Sequence, residues 1–241
     1  MNKEQYLDAL EADSEALLSA AAAVSLGEAV SHCGDWAMRD LLGHQAFVWG
    51  FAAANVAAAG EKTPPATEKP EDDSRMFEWA ASVRATMLEA LRAADPAAPA
   101  WTFAANNQTA GFWQRRMMAE TVVHLWDAET CAGTPTLIAP EIASESIDEY
   151  TEVGLRFSSG RPNRIYPANS IHIHCTDTQG EWIIVGNGES DFTVAREHTK
   201  GDAAVKGPAA NLLLWLWGRD GGDVEILGDE TVATTWRELA P

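Results

Sequence analysis

The sequence predicts an α+β protein of two domains, in which a bundle of helices is followed by a small α/β domain with a mainly antiparallel sheet. Apolar residues recur at helical spacing through most of the first 157 residues. After the Ser-Ser-Gly-Arg-Pro segment at 158–162, short β-branched or alternating segments separated by turn residues take over. We therefore place the domain boundary near residue 160, which gives a helical domain at 1–160 and an α/β domain at 161–241.

Four long helices are predicted in the first domain. Alanine, a strong helix former, is abundant in the first of them, and Asp95-Pro96 ends the third. A proline-rich loop at 61–73 and an aperiodic stretch at 97–109 separate the later helices. The predicted helices are Leu7–Val24, Trp36–Ala59 with Asp35 as its N-cap, Ser74–Ala94, and a fourth that follows Thr109 and ends near Gly133. This pattern implies an up-down four-helix bundle, and a further helix is predicted over Glu141–Phe157.

The second domain is predicted to contain five short strands, the first three of them forming a meander. The predicted strands are Ile171–Thr176, Glu181–Val185, Asp191–Ala195, Ala203–Lys206 and Val224–Leu227. Pro208 suits the first turn of a helix, and the apolar run Leu212–Trp217 is predicted to be the buried face of that helix. A short helix is predicted at the C-terminus.

The composition argues against several classes of function. A formal net charge of −19 disfavours binding to nucleic acid or to an anionic membrane surface, because both attract clustered Lys and Arg. The apolar stretches are too short to span a bilayer, and the first residues lack the basic-then-apolar pattern of a signal peptide. The 3 cysteines form no C-x-x-C pair, which favours a reducing compartment, so we expect a cytoplasmic protein.

Glu120, His124 and His44 are the first candidate functional residues. Glu120 and His124 lie four residues apart in a segment predicted as helix, so both side chains project from one face. One carboxylate and two imidazoles suit a zinc-type ion, and three protein ligands leave a fourth position for water or substrate, which favours a catalytic site. The alternatives are that Glu120 and His124 form an ordinary i,i+4 pair on a solvent-exposed helix face, and that His44 is a hydrogen-bonded core histidine.

Two features of the sequence favour the metal site over those alternatives. Glu120 lies within an apolar run, in which an unpaired carboxylate would be costly to bury. Asp40 lies one helical turn before His44, where it would orient the imidazole ring.

Two other groups of residues have side chains that suit a binding site. His172 and His174 point to one side of a predicted strand, and an H-x-H pair can bind metal, but no third ligand lies at a suitable spacing. We interpret this pair as the polar face of a half-buried strand. Arg115 and Arg116 precede Glu120 in the sequence. They suit the binding of a carboxylated substrate or of the thiol, but an ordinary solvent-exposed helix start explains them equally well.

Several segments resemble a known family. The segment Trp36-Ala-Met-Arg-Asp-Leu-Leu-Gly-His44 is similar to the W-x-x-R-D-L-x-x-H segment of mycothiol-dependent maleylpyruvate isomerase-like proteins. Glu120-Thr-Val-Val-His124, followed by Trp126-Asp127-Ala128, is similar to their second motif. Gly207–Arg219 and Leu227-Gly-Asp229 resemble parts of their C-terminal domain. The resemblance covers nearly the whole chain and implies a DinB-type four-helix bundle followed by the family's small α/β domain.

The resemblance also implies a chemistry. The implied site residues are His44, Glu120 and His124 for a divalent metal, usually zinc, and Arg219 for substrate or thiol. Asp40 and Asp127 are placed to orient the metal ligands. The implied thiol is mycothiol, with an actinobacterial source and a small electrophilic substrate, which a carboxylate would suit. Coordination would lower the pKa of the thiol, and attack by the thiolate would lead to cis–trans isomerisation or, if the adduct persists, to S-transfer.

Two alternatives to a thiol enzyme stay open. The same ligands could activate water in a metal-dependent hydrolase, although no residue of the sequence stands out as a separate general base. The bundle could instead bind a small molecule without catalysis, because fold does not fix function. A monomer and a weak homodimer are both compatible with the sequence.

Overall fold

The chain forms two compact units. The computed structural model describes residues 1–66, 68–157 and 164–240, and contacts divide the chain into Met1–Thr136 and Leu137–Pro241. The boundary predicted near residue 160 lies outside the described residues. The helix that begins at Pro140 groups with the second unit, whereas the sequence analysis placed it with the bundle.

The first unit is the predicted four-helix bundle. Its helices are α1 (Lys3–Ala22), α2 (Met38–Ala57), α3 (Met76–Ala93, preceded by a 3₁₀ turn at Asp73–Arg75) and α4 (Ala110–Cys131). Helix α1 packs mainly on α4, and α2 packs mainly on α3. Helix α1 begins with a capping box in which the side chains of Asn2 and Gln5 each accept the other's backbone N–H.

Helix α2 begins two residues later than the sequence predicted. Its N-cap is Ala37 and not Asp35. The reason is Asp40, whose Oδ2 accepts the backbone N–H of Ala37 at 3.1 Å and so satisfies a donor that precedes the first helical turn.

Helix α4 is buried on all sides over most of its length. Every residue from Met117 to Glu129 is buried. A helix that is enclosed on every side requires its polar side chains to be paired, because unpaired polar groups lose their water without compensation. Thr121 illustrates this rule, since its Oγ1 accepts the indole N–H of Trp49 on α2 at 3.0 Å.

The second unit contains a five-stranded sheet and the remaining helices. Its helices are α5 (Pro140–Glu149), which continues through a π-helical turn (Tyr150–Gly154) into α6 (Leu155–Phe157), then α7 (Ala209–Leu216) and α8 (Glu230–Arg237). Its strands are β1 (Ser170–Cys175), β2 (Glu181–Gly186), β3 (Phe192–Ala195), β4 (Ala203–Gly207) and β5 (Glu225–Gly228). In the described residues no helix combines the length and apolarity needed to cross a bilayer.

The sheet has the strand order β3-β2-β1-β4-β5. The predicted meander of β1, β2 and β3 is present, and only the pairing of β1 with β4 is parallel. The prediction of a mainly antiparallel sheet in an α+β protein is therefore confirmed. Along β1 the side chains alternate, so that Ile171, Ile173 and Cys175 share one face while His172 and His174 share the other.

Asp13 on α1 is a destabilising feature of the bundle. Burial raises the pKa of Asp13 to about 6, and the nearby carboxylate of Glu129 adds to this rise. Because the folded state then binds the proton more tightly than the unfolded state, ionisation of Asp13 lowers stability as the pH rises from about 4 to about 6.

We expect Asp13→Asn to stabilise the protein at pH 8 by about 1–3 kcal/mol, and this gain should shrink as the pH falls toward 4. Urea unfolding at both pH values measures the free energy of unfolding. Asp8→Asn, at an exposed position of the same helix, is the control. Equal stability of the two variants at pH 8 would contradict the prediction.

Candidate metal centre

The three predicted metal ligands converge inside the first unit. Helix α2 supplies His44, and one face of α4 supplies Glu120 and His124. Glu120 Oε1 lies 3.0 Å from His44 Nε2 and 3.4 Å from His124 Nε2. The three side chains offer donor atoms that all lie within 4.8 Å of one another. Sequence spacing placed two of these residues together, and the packing of α2 beside α4 adds the third.

The distances between these donors suit a single zinc-type ion. Two ligands of a tetrahedral zinc, with bonds of about 2.0–2.1 Å, are roughly 3.3 Å apart. The separations of 3.0 and 3.4 Å around Glu120 Oε1 are close to that value. A carboxylate with two imidazoles is also a donor set found in catalytic zinc sites. The residues present therefore fit the metal that the sequence predicts.

The three side chains differ in their access to solvent. The side chains of Glu120 and His124 are 7% and 6% exposed, whereas that of His44 is 31% exposed. The indole of Trp36 lies beside both imidazoles, with ring centroids 5.0 Å from His44 and 6.1 Å from His124. The site is thus closed on the α4 side and accessible on the side of His44.

Asp127 contacts His124, the ligand that the sequence predicts it to orient. Its Oδ2 lies 2.9 Å from His124 Nδ1 and also accepts the thiol S–H of Cys33 at 3.3 Å. A carboxylate at Nδ1 keeps a proton on that nitrogen, so Nε2 is the nitrogen that faces Glu120 and is available to a metal once its own proton is lost. Cys33, His124 and Asp127 also form a candidate ligand group of their own, which shares His124 with the first group.

Asp40 does not make the predicted contact with His44. Besides accepting the N–H of Ala37, its carboxylate lies 3.6 Å from Lys69 Nζ. Its position at the third residue of α2 directs it back to the start of the helix, so within the described part of the chain it acts as a cap. His44 is held instead by Glu120 and by its neighbours in the site.

Arg116 belongs to the site in a way that the sequence analysis did not identify. Its guanidinium contacts Oε2 of Glu120, the oxygen that does not face the histidines. From the sequence alone, Arg116 suits either the binding of a carboxylated substrate or thiol, or a solvent-exposed helix start. The i,i+4 spacing between Arg116 and Glu120 was the available signal, because residues at that spacing meet on one helix face.

The electrostatics of the site favour charged Glu120. Burial acts to raise the pKa of Glu120, but Arg116 and the two imidazoles outweigh it and hold that pKa well below its usual range. Burial acts to lower the pKa of His124, but Asp127, Cys33 and Glu120 raise it well above its usual range. A metal ion that binds here must therefore displace a proton from His124.

Arg219 lies in the second unit, just after α7. It is buried, and its Nη1 donates to the carbonyl oxygen of Trp217 at 2.6 Å, with the guanidinium 5.8 Å from the Trp217 ring. Its own carbonyl oxygen accepts from Arg237, which also pairs with Asp220. The role of Arg219 toward substrate or thiol stays a prediction.

The pair His172 and His174 has the additional ligands that the sequence analysis did not find. Glu181 on β2 and His198, beyond the end of β3, lie with them in one group of potential metal ligands. No third ligand lies at a short sequence spacing from this pair, but the fold brings two candidates to it. The reason is that strand pairing, and not a short sequence spacing, brings Glu181 and His198 to the pair.

The sequence of the bundle matches a family of known proteins. The family model described as the mycothiol maleylpyruvate isomerase N-terminal domain matches residues 7–129. Because these residues make up half of the chain, the protein belongs to that family. Among proteins with curated functions, none matches the sequence significantly.

Solved structures share the fold over nearly the whole chain. They are crystal structures of the mycothiol-dependent maleylpyruvate isomerase and of a mutant of that enzyme, with TM-scores of 0.60 and 0.64. Each match covers 94% of this chain and 93% of the other at 14% sequence identity. At this identity the likeness establishes the fold alone.

We expect Asp127→Asn to weaken zinc binding at His44, Glu120 and His124 by about 10–100-fold, because the amide no longer fixes the ring and tautomer of His124. Competition with a chromophoric chelator measures the affinity. Asp40→Asn is the control, since it removes a carboxylate on the helix that carries His44 but one that caps α2 and pairs with Lys69. Equal zinc affinity in the two variants would refute the orienting role of Asp127.

Proposed function

We propose that the protein is a zinc-dependent thiol enzyme that isomerises a small electrophilic substrate about a carbon–carbon double bond, with mycothiol as the thiol. The convergence of His44, Glu120 and His124 around a space that suits one metal ion carries this proposal. Membership of the family supports mycothiol as the thiol. The activity named for the solved neighbours supports isomerisation.

The residues of the site have separate tasks in this proposal. His44, Glu120 and His124 would hold the ion through Nε2, Oε1 and Nε2, the three atoms that face one another. Arg116 occupies the second oxygen of Glu120 and compensates its charge. Asp127 lies at Nδ1 of His124 and so directs Nε2 toward the ion that would bind. A bound divalent ion supplies a Lewis acid that lowers the pKa of a thiol.

In the proposed reaction the substrate and the product have the same composition, and the thiol is regenerated. The sulfur of the thiolate adds to one carbon of an activated double bond, and the electron pair moves onto a conjugated carbonyl oxygen. Rotation about the resulting single bond and expulsion of the thiolate restore the double bond in the other geometry. If the adduct is protonated and released instead, the product is an S-conjugate, so product analysis separates isomerisation from S-transfer.

Access to the site supports a bimolecular reaction with an external thiol. His44 is the ligand nearest to solvent, and Trp36 flanks it. A thiol would approach the site from the side of His44, while α4 excludes water from the opposite side. Exclusion of water strengthens every electrostatic interaction in the site.

We expect His44→Ala to lose about one equivalent of zinc per chain and all thiol-dependent turnover. Metal analysis and an assay of cis–trans isomerisation with mycothiol and unsaturated dicarbonyl acids measure the two losses. His32→Ala, at an exposed histidine of the same unit, is the control.

Undiminished turnover by metal-free protein would refute the metal-dependent mechanism. Turnover that continues unchanged when the thiol is omitted would favour the hydrolase alternative. If the zinc-loaded protein shows no turnover with any of the thiols and electrophiles tested, the result would favour the alternative in which the protein binds a small molecule without catalysis.

We further propose that Arg219 binds a carboxylate of the substrate or of the thiol, as its buried guanidinium would allow. Loss of one charge-assisted hydrogen bond of about 1.5–3 kcal/mol predicts that Arg219→Ala lowers kcat/KM roughly 10–100-fold. Steady-state kinetics with and without a carboxylate on the substrate measure this effect, and Arg219→Lys should recover part of it. An equal loss with both substrates and no recovery by lysine would indicate a structural role for Arg219.

A further inference from the structure

A further group of potential metal ligands lies on one face of the sheet. It consists of His172 and His174 on β1, Glu181 on β2, and His198 in the segment that follows β3. We call these four residues the sheet cluster. Its members contribute three of the chain's 6 histidines, and none of them belongs to the site in the bundle.

The register of the strands assembles the sheet cluster. His174 pairs directly with Glu181 across the antiparallel β1–β2 ladder, and His172 lies two residues earlier on the same face. Strand β3 pairs with β2 through Ala195 and Ile183. Since β3 ends at Ala195, the chain leaves the sheet there and brings His198 to the Glu181 side chain.

The four side chains meet at a single oxygen atom. Glu181 Oε1 lies 2.6 Å from His174 Nδ1 and 3.1 Å from His172 Nε2, and it also contacts His198 Nδ1. The three imidazole centroids are nearly equidistant, at 5.7–5.8 Å from one another. All four donor atoms lie within 4.8 Å of one another. Three imidazole nitrogens and one carboxylate oxygen are thus close enough together to bind the same ion.

His172 is the most buried histidine of the sheet cluster. Its Nε2 is buried and faces Glu181 Oε1 at 3.1 Å, the same oxygen that His174 and His198 contact. Because the surrounding fold holds this ring with Nε2 directed at the other donor atoms, its orientation suits a ligand of an ion in the cluster.

We propose that His172, His174, Glu181 and His198 form a second site for a zinc-type divalent ion. Imidazole nitrogen and carboxylate oxygen are the donors that such ions prefer, and four protein ligands are the number found in closed structural sites. The side chain of His198 is 79% exposed, so an ion reaches the cluster directly from solvent.

The proposed site has a structural consequence for the second unit. Residues 196–202, between β3 and β4, contain no helix or strand. An ion bound by His198 would attach this segment to β1 and β2. Because only the folded state assembles the four ligands, the ion would also stabilise the unit against unfolding.

Zinc binding by the full-length protein without a histidine tag tests the proposal. The experiment uses a His44→Ala, His124→Ala background, which removes ligands from both candidate groups of the bundle. After zinc chloride is added and the excess is removed, metal analysis should find about one zinc per chain, and zinc should raise the Tm. Zinc at a negligible level in this background, with no change in Tm, would overturn the proposal.

Three further variants in that background locate the ion. Glu181→Gln, whose amide is a poor ligand, should abolish the bound zinc and the increase in Tm. His198→Ala, at an exposed position that the fold tolerates, should weaken zinc binding by about 10–100-fold. Glu197→Gln removes an exposed carboxylate beside the cluster and should change neither quantity. Unchanged zinc affinity in both Glu181→Gln and His198→Ala would show that the metal binds elsewhere and would overturn the assignment.

Discussion

A carboxylate buried in the centre of a helix bundle is the constraint on which the first unit depends. Glu120 lies on a helix that is enclosed on every side, where an uncompensated charge would cost several kcal/mol. Arg116 and the two imidazoles of the site compensate that charge. The packing of α2 against α4 is therefore also the step that completes the site, because it brings His44 to Glu120.

Helical periodicity explains why much of this site could be predicted from the sequence. Along α4, the spacings of four and three residues place Glu120, His124 and Asp127 on one side of the helix, and the contacts among them agree with that prediction. Arg116 obeys the same rule, so its pairing with Glu120 was also available in the sequence. His44 is different, because its approach depends on the packing of two helices far apart in the chain.

The features that sequence patterns missed depend on tertiary contacts. Asp40 lies one turn from His44, but its carboxylate also had an unpaired backbone N–H at the helix start within reach, and that local partner prevailed. His198 follows a strand at no recognisable spacing from His172, and only the order of the strands joins them. The division of the chain before α5 likewise reflects which elements pack together, because the helical pattern itself does not change there.

The contact between Arg116 and Glu120 affects which charge a molecule bound at the bundle site should carry. Glu120 and Asp127 carry two negative charges, which Arg116 and the proton on His124 balance when no metal ion is bound. A divalent cation that displaces this proton would leave a net positive charge of one in a poorly hydrated space. An anionic sulfur would then neutralise the site, whereas a neutral ligand would not. In a chain with a net charge of −19, a metal-loaded bundle would thus be a local anion acceptor within a surface that repels anions.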